Sequence, residues 1–218
     1  MAQQHKVKSI IFDCDGVLID SEIIANRIEV EMKKQHGIAI TLEEQLQKFV
    51  GLGFNDPVMQ EELKRLPHDY RIRFHALTRQ TYQTELKAID GVLETLKKLF
   101  IPKCVASNSD TESLLHKLAL TKLSPYFPKN AAFSGQMVTH GKPSPDLFLL
   151  ALEKMNWDPK HCLVIEDSVA GVTGAKAAGL RVCGFLGGGH MYPGHAEKLQ
   201  KAGVDEIITH FRDVLQFI

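Results

Sequence analysis

Residues 10–20 read IIFDCDGVLID and decide the fold of this chain. The apolar run that ends at Phe12 has the length of a β-strand and no polar alternation, which is typical of a strand buried on both faces of a parallel sheet. Two acids, Asp13 and Asp15, follow it with one residue between them. Because charge beside a buried strand needs a partner, we expect a cation at the end of this strand.

Short apolar runs of the same kind recur along the chain, separated by segments with helical periodicity. The runs are CVAS at 104–107, AAFS at 131–134, CLVIE at 162–166 and RVCGFL at 181–186. The helix-start signals among them are a capping box at Ser109 and Glu112, Pro145 after Ser144, and Asp167 or Ser168 as the cap of a helix that Gly179 ends. Strands that alternate with helices predict an α/β fold with a doubly wound parallel sheet.

Residues 21–89 interrupt this alternation, because they carry helix signals and no convincing strand. These signals include a capping box at Thr41 and Glu44 and a helix start at Asp56-Pro57. A simple crossover between strands needs much less chain. We interpret residues 21–89 as an inserted α-helical cap domain, with residues 1–20 and 90–218 as the core domain. One continuous helical layer on the core is the alternative.

The composition is that of a globular protein of 218 residues, with 26 basic and 26 acidic residues. A formal net charge of zero favours neither nucleic acid nor a membrane as a partner. The start MAQQHKVKSII has no signal peptide and no membrane span, so we expect a cytoplasmic protein, as a monomer or weak dimer. The cysteines are Cys14, Cys104, Cys162 and Cys183; without metal-ligand spacing, we expect reduced thiols in the core.

Polar side chains follow the predicted strands, where the carboxyl ends of parallel strands meet at one edge of the sheet. They are Asp13 and Asp15, then Ser107 and Asn108, then Glu166 and Asp167, with Lys142 in a loop before a helix. Carboxylates gathered at one edge repel one another unless a hard cation lies among them, and an all-oxygen set suits Mg²⁺. Because Mg²⁺ readily keeps phosphate as a further ligand, we expect a small phosphorylated substrate.

These residue types predict phosphoryl transfer through a covalent intermediate on the protein. Asp13 can attack phosphorus to give an aspartyl phosphate, and Asp15 can protonate the leaving oxygen and then deprotonate water. Lys142 and Ser107 supply donors to the phosphoryl oxygens. Cys14 has no histidine in a recognisable relation to it, so we do not expect it to be the nucleophile.

Four segments in order along the chain resemble the four motifs of the haloacid dehalogenase superfamily. They are Asp13-Cys14-Asp15-Gly16-Val17, Ser107-Asn108, Lys142-Pro143-Ser144-Pro145-Asp146 and Glu166-Asp167-Ser168-Val169-Ala170-Gly171. The resemblance implies a Rossmann-like core with a helical cap inserted after the first motif. It implies that Asp13 is the nucleophile and a Mg²⁺ ligand, and that Asp15 is the acid/base, with its backbone carbonyl on the metal. It also implies that Asp167 is a further metal ligand, with Glu166 nearby. Ser107 and Lys142 would bind the phosphoryl oxygens, with Asn108 beside them.

Within the superfamily, the chain is similar to the β-phosphoglucomutase-like branch, which contains mutases and phosphatases. The mutases carry a histidine twelve residues after the nucleophile and an arginine three residues after a cap glycine, and these positions are Ala25 and, counted from Gly51, Phe54 here. We therefore expect a Mg²⁺-dependent phosphatase of a sugar phosphate or a sugar-acid phosphate such as 6-phosphogluconate. The alternatives are a phosphosugar mutase and a catalytically idle regulator that binds phosphometabolites.

Two loops carry weaker signals. In the resembling enzymes the cap loop reads the leaving group, so Gly51 and Phe54 are predicted to contact substrate, with Lys48 in the preceding helix as a further candidate. The run Gly187-Gly188-Gly189-His190 lacks the frame of a phosphate-binding loop. We expect a flexible connection there, without a metal bound by His190 and His195.

Overall fold

The computed structural model of the protein describes residues 6–52 and 56–218. Within them a parallel sheet contains β1 (Ser9–Phe12), β2 (Lys103–Ser107), β3 (Ala132–Ser134), β4 (Cys162–Glu166), β5 (Arg181–Phe185) and β6 (Glu206–Ile208). The strand order is β3-β2-β1-β4-β5-β6, which confirms the predicted doubly wound, Rossmann-like α/β fold. The strand order reverses between β1 and β4, and folds of this class bind their ligands at such a point.

Both faces of the sheet are covered, because successive residues of the central strands enter different apolar clusters. In β1, Ile10 and Phe12 belong to one cluster and Ile11 to the other. The first cluster also receives side chains from α5 (Val92–Lys98) and α6 (Thr111–Leu120), and the second from α7 (Asp146–Met155), α8 (Val169–Ala177) and α9 (His195–Lys201). Burial on both faces explains why the strands read as apolar runs without alternation.

Between β1 and α5 the described chain forms α1 (Ser21–Gln35), α2 (Leu42–Phe49), α3 (Pro57–Leu63) and α4 (Tyr70–Glu85). We call these four helices the helical segment. Residues 21–52 and 56–89 contain no strand, as the sequence pattern predicts. The stripe of Ile24, Ile28 and Met32 in α1 shares the first apolar cluster with β1. The division into a cap domain at 21–89 and a core domain stays a prediction.

Side chains cap several helices as the sequence predicts. Thr41 forms a capping box at α2, Asp56 caps α3, and Ser168, rather than Asp167, caps α8. The capping box predicted at Ser109 is wrong, because α6 begins at Thr111 and Asp110 is its cap. The hydroxyl of Ser109 instead donates a hydrogen bond to Asp15 at the sheet edge.

The cysteine prediction is confirmed, since all four thiols are buried and unpaired. Burial and the charge of Asp15 raise the pKa of Cys14, which keeps it protonated and a poor nucleophile. Across the part of the chain that the structure describes, no helix has both the length and the apolar character that a membrane crossing requires.

Candidate active site

Asp13 and Glu166 lie at the ends of neighbouring strands, β1 and β4, and share one buried cation. The Nζ atom of Lys142 donates to Oδ1 of Asp13 at 2.5 Å and to Oε1 of Glu166 at 2.6 Å. It also donates to the carbonyl oxygen of Ala106 at 2.7 Å. Burial alone would lower the pKa of Lys142, but the charges of Asp13 and Glu166 outweigh it and raise the pKa. The lysine is therefore held as a cation, although only 8% of it is exposed.

Asp167 extends this pair into a cluster of three carboxylates. One oxygen atom from each of Asp13, Glu166 and Asp167 lies within 4.8 Å of the others. The Oδ2 atom of Asp167 is 2.7 Å from Nε2 of His190, whereas its Oδ1 atom is buried and has no hydrogen-bond partner. Burial and the neighbouring carboxylates raise the pKa of Asp13 and Asp167, against the opposing effect of Lys142. With all three carboxylates ionised, the cluster would carry more negative charge than Lys142 alone neutralises, which is why these pKa values rise.

This cluster fits a small divalent cation. Its donors are carboxylate oxygens, which Mg²⁺ prefers, and the buried Oδ1 atom of Asp167 has a lone pair to offer. Glu166 is less available, because its Oε2 atom accepts hydrogen bonds from the backbone N–H groups of Asp167 and Ser168 and from the Ser168 hydroxyl. Asp13 and Asp167 are therefore the better ligands among the three.

Asp15 has a different environment, although it is only two residues from Asp13. The Nζ atom of Lys117 lies 2.6 and 2.7 Å from its two carboxylate oxygens. The hydroxyls of Ser21, Ser107 and Ser109 donate to the same carboxylate at 2.6, 3.2 and 3.0 Å. Burial by itself raises the pKa of Asp15, but Lys117 and the hydrogen bonds outweigh it and lower the pKa to about 2. Asp15 is ionised in this arrangement.

The two predicted phosphate-binding residues at the end of β2 occupy different positions. Ser107 is buried, and its hydroxyl faces Asp15 and accepts a hydrogen bond from the backbone N–H of Ser109. The Asn108 side chain is engaged with the main chain of Lys142: its Nδ2 donates to the carbonyl oxygen at 2.9 Å, and its Oδ1 accepts from the N–H at 2.8 Å. Asn108 thus holds the lysine loop, and contact of its side chain with phosphate stays a prediction.

A cavity of about 790 Å³ opens from this sheet edge toward the helical segment. Asp13, Asp15 and Lys142 line its floor, and α1, α4 and residues 49–52 line its opposite side. Gly51, predicted to contact substrate, lies on this lining. Lys48 instead lines a separate surface depression beside α2, and Phe54 lies outside the described residues.

The helical side of the cavity carries a polar network that the sequence did not indicate. Asn26 and Glu29 of α1 line the cavity, and the buried amide of Gln45 donates to both side chains. Lys33 lies behind them, 2.9 Å from Oε1 of Gln45 and 3.9 Å from Glu29. Burial raises the pKa of Glu29, against the opposing effect of Lys33. The network presents oxygen and amide groups to a ligand at a fixed position.

Sequence reasoning also missed Lys117 as a member of the site. A signal was available, because Lys117 follows Leu114 by three residues and precedes Leu118, which places it on the inward face of α6. A lysine on an inward helix face needs a buried counter-charge, and Asp15 is that partner. No comparable signal marks Asn26 and Glu29, since polar residues on a helix are ordinary.

Comparison with known proteins decides the family. A family model of haloacid dehalogenase-like hydrolases matches residues 7–179. The chain belongs to this family. The hydrolase is 30% identical to 6-phosphogluconate phosphatase of Escherichia coli K12 over 86% of each chain. It is also 30% identical to a phosphorylated carbohydrates phosphatase of Thermotoga maritima, over 83% of this chain and 86% of that one. A haloacid dehalogenase-like protein of unknown function from Agrobacterium tumefaciens is 36% identical and superposes with a TM-score of 0.90 over 96% of both chains. The predicted family is confirmed.

Proposed function

We propose that this hydrolase is a Mg²⁺-dependent phosphatase of a small phosphorylated carbohydrate, acting through an aspartyl phosphate on Asp13. The observation that carries the proposal is the buried lysine shared by Asp13 and Glu166 at the floor of an open cavity. Structural ion pairs rarely combine burial, surplus negative charge and access to a large cavity. Relatives named as phosphatases of 6-phosphogluconate and of phosphorylated carbohydrates support the substrate class.

Asp13 is the nucleophile in this mechanism. One of its carboxylate oxygens attacks phosphorus, and the bond from phosphorus to the carbohydrate oxygen breaks. The ammonium of Lys142, 2.5 Å from Asp13, lowers the repulsion between the carboxylate and the incoming phosphate and can donate to a phosphoryl oxygen in exchange for one of its three hydrogen bonds. Glu166 keeps that ammonium in place. This role explains why both carboxylate oxygens of Glu166 are hydrogen-bonded within the protein.

Asp15 transfers the protons. As a carboxylic acid it protonates the departing carbohydrate oxygen, and as a carboxylate it then accepts a proton from the water that attacks phosphorus and frees Asp13. The ionised arrangement with Lys117 suits the second step. The first step requires the carboxyl group to leave Lys117, so this ion pair separates during each turnover.

Asp13 and Asp167 are the side chains that would hold Mg²⁺, with the Asp15 carbonyl as the ligand implied by the family resemblance. The ion, when bound, supplies positive charge against the phosphoryl oxygens. Asp167 offers its unpaired Oδ1 atom for this purpose.

The helical side of the cavity selects the leaving group. Glu29 and Asn26 present a carboxylate and an amide, which suit the hydroxyl groups of a neutral sugar or polyol. Glu22 lies on the same face of α1, and burial raises its pKa to about 7, with Asp15 and Asp167 adding to the effect. The carboxylate of a sugar acid would be repelled by Glu29 and, whenever it is ionised, by Glu22, so we propose that neutral sugar phosphates are better substrates than sugar-acid phosphates.

Phosphate release from a panel of sugar phosphates, sugar-acid phosphates, nucleotides and pyrophosphate, with Mg²⁺ and with EDTA, tests the proposal. We expect metal-dependent release concentrated on the carbohydrate phosphates. Asp13→Asn should lower turnover by about 10⁴ or more while the far-ultraviolet circular dichroism stays unchanged, because an amide is a poor nucleophile. Cys14→Ala, one residue along, is the matched control and should keep its activity.

Other outcomes contradict the proposal in different ways. Retention of most activity by Asp13→Asn would remove Asp13 as nucleophile. No release from any compound would favour an idle phosphometabolite-binding regulator. Conversion of β-glucose 1-phosphate to glucose 6-phosphate in the presence of the bisphosphate would show a mutase, against the expectation from Ala25, which lines the cavity where the resembling mutases carry histidine.

A further inference from the structure

The glycine-rich run at 187–190 contributes a fully buried side chain to the edge of the site. It connects β5 to α9, as the sequence predicts, and His190 is 0% exposed. The flexibility of this loop stays a prediction. The Nε2 atom of His190 is 2.7 Å from Oδ2 of Asp167. The other ring nitrogen is buried and has no hydrogen-bond partner, so Asp167 is the polar contact that orients this ring among the described residues.

Two glycines make room for this contact. Gly16, directly after Asp15, has a φ of +81°, and a Cβ atom there would lie 2.2 Å from Oδ2 of Asp167 and 2.6 Å from the His190 ring. A Cβ atom on Gly188 would lie 2.7 Å from the same ring. Any side chain at either position would push the histidine away from the carboxylate. The first motif and the glycine-rich loop therefore both accommodate the pair of His190 and Asp167.

The direction of the hydrogen bond follows from the chemistry of the partners. A carboxylate only accepts, so Nε2 of His190 carries the proton and donates it to Oδ2. This contact fixes the plane of the carboxylate and leaves Oδ1 as the oxygen without a partner. A carboxylate that binds a metal is typically oriented by a hydrogen bond from a neighbouring side chain.

We infer that His190 is a positioning residue that holds the Asp167 carboxylate in the orientation in which Oδ1 binds the divalent cation. The inference rests on the proposed function, since it requires a metal at Asp13 and Asp167. Nothing in the resemblance to the family assigns a role to the glycine-rich loop. His190 touches neither substrate nor metal in this account and acts through Asp167 alone.

Calorimetric titration of the metal-free protein with Mg²⁺ tests the inference without relying on turnover. His190→Asn retains an N–H donor, but its side chain is too short to place that donor at Oδ2, and we expect the Mg²⁺ dissociation constant to rise about 10- to 100-fold. His190→Gln carries its N–H donor at about the reach of Nε2, so it should restore most of the affinity. His195→Asn is the matched control, because His195 is also buried and contacts the carbonyl oxygen of Asp167 rather than its carboxylate.

The pattern across these variants decides the inference. Thermal unfolding in EDTA shows whether each variant folds. Gly188→Ala displaces the His190 ring without changing it and should therefore also lower the Mg²⁺ affinity. The apparent Mg²⁺ constant for activity should rise in His190→Asn while kcat at saturating Mg²⁺ stays close to that of the wild type. Unchanged Mg²⁺ binding in His190→Asn, or an equal loss in His195→Asn, overturns the role of His190 alone. Absence of Mg²⁺ binding in the wild type overturns the proposed metal site as well.

Discussion

The two sides of the cavity differ in how their polar side chains arise. On the floor, Asp13 and Asp167 follow strand ends and Lys142 comes from a loop beside them, where the fold concentrates residues from distant parts of the chain. On the opposite side, Asn26 and Glu29 come from the middle of α1 and are held by Gln45 of the adjacent helix. The floor is a charged cluster, and the helical side is a hydrogen-bonded network.

This difference separates the chemistry of the enzyme from its choice of substrate. Attack on phosphorus needs charges that the floor supplies, whatever group is attached to the phosphate. The leaving group meets the helical side, where changing one residue alters recognition without removing the nucleophile. We therefore expect substitutions on the floor to affect all substrates and substitutions on the helical side to affect substrates unequally.

Among the substitutions that test this comparison, the largest effect should follow removal of the shared cation. Lys142→Met leaves Asp13 and Glu166 buried without their counter-charge, so we expect the unfolding free energy in EDTA to fall by about 3 kcal/mol or more. Turnover of every substrate should fall by about 10³. Urea unfolding and phosphate release measure both effects. Lys154→Met, an exposed lysine in α7, is the control and should stay within about 0.5 kcal/mol of the wild type. Similar behaviour of the two variants would show that Lys142 is no different from a surface lysine.

A smaller effect, still common to all carbohydrate phosphates, should follow loss of the partner of Asp15. Lys117→Met leaves that carboxylate to the three serine hydroxyls, and we expect kcat to fall on the order of 10² because proton transfer is misaligned. The loss should be smaller with 4-nitrophenyl phosphate, whose leaving group needs no proton. Lys98→Met, on the exposed face of α5, should leave both rates unchanged. Equal losses with the two kinds of substrate would contradict a role of Lys117 in proton transfer.

The smallest effect should come from the helical side and should depend on the substrate. Glu29→Gln removes the negative charge at constant shape, so the ratio of kcat/KM for a neutral sugar phosphate to that for the matching sugar-acid phosphate should fall about tenfold, or about 1.4 kcal/mol. Steady-state kinetics with both compounds measures the ratio, and Glu61→Gln on the exposed face of α3 is the control. A constant ratio would remove Glu29 from substrate selection.

The sequence predicts the fold well wherever a strand is buried on both faces. The runs at β1, β2, β4 and β5 are unbroken and apolar, and the structure places strands there. β6 was missed, because Glu206–Ile208 has three residues, is only partly buried and contains a charged residue in place of an apolar run. Burial produces the pattern, so the partly buried edge strand β6 shows little of it, whereas the other edge strand, β3, is buried and was predicted.

The same reasoning explains which parts of the site could be predicted. Asp13, Asp15, Glu166 and Asp167 stand next to recognisable strands, so topology brings them together without knowledge of side-chain packing. His190 and Asn26 lie outside such landmarks, and their contacts depend on how a loop and two helices pack. Asp15 also shows a limit of sequence reasoning, since its pairing with Lys117 distinguishes it from Asp13, although the two acids are nearly adjacent.

The most direct test of the central claim is chemical trapping of phosphate on Asp13. Asp15→Asn should slow the attack of water more than the attack on 4-nitrophenyl phosphate, so a phosphorylated enzyme should accumulate with Mg²⁺ present. Quenching with acid and reducing with borohydride converts an aspartyl phosphate to homoserine, which peptide mass spectrometry locates. We expect homoserine at position 13 and a stoichiometric burst of nitrophenolate. Phosphate release without any modification of Asp13, or trapping at another residue, would contradict it.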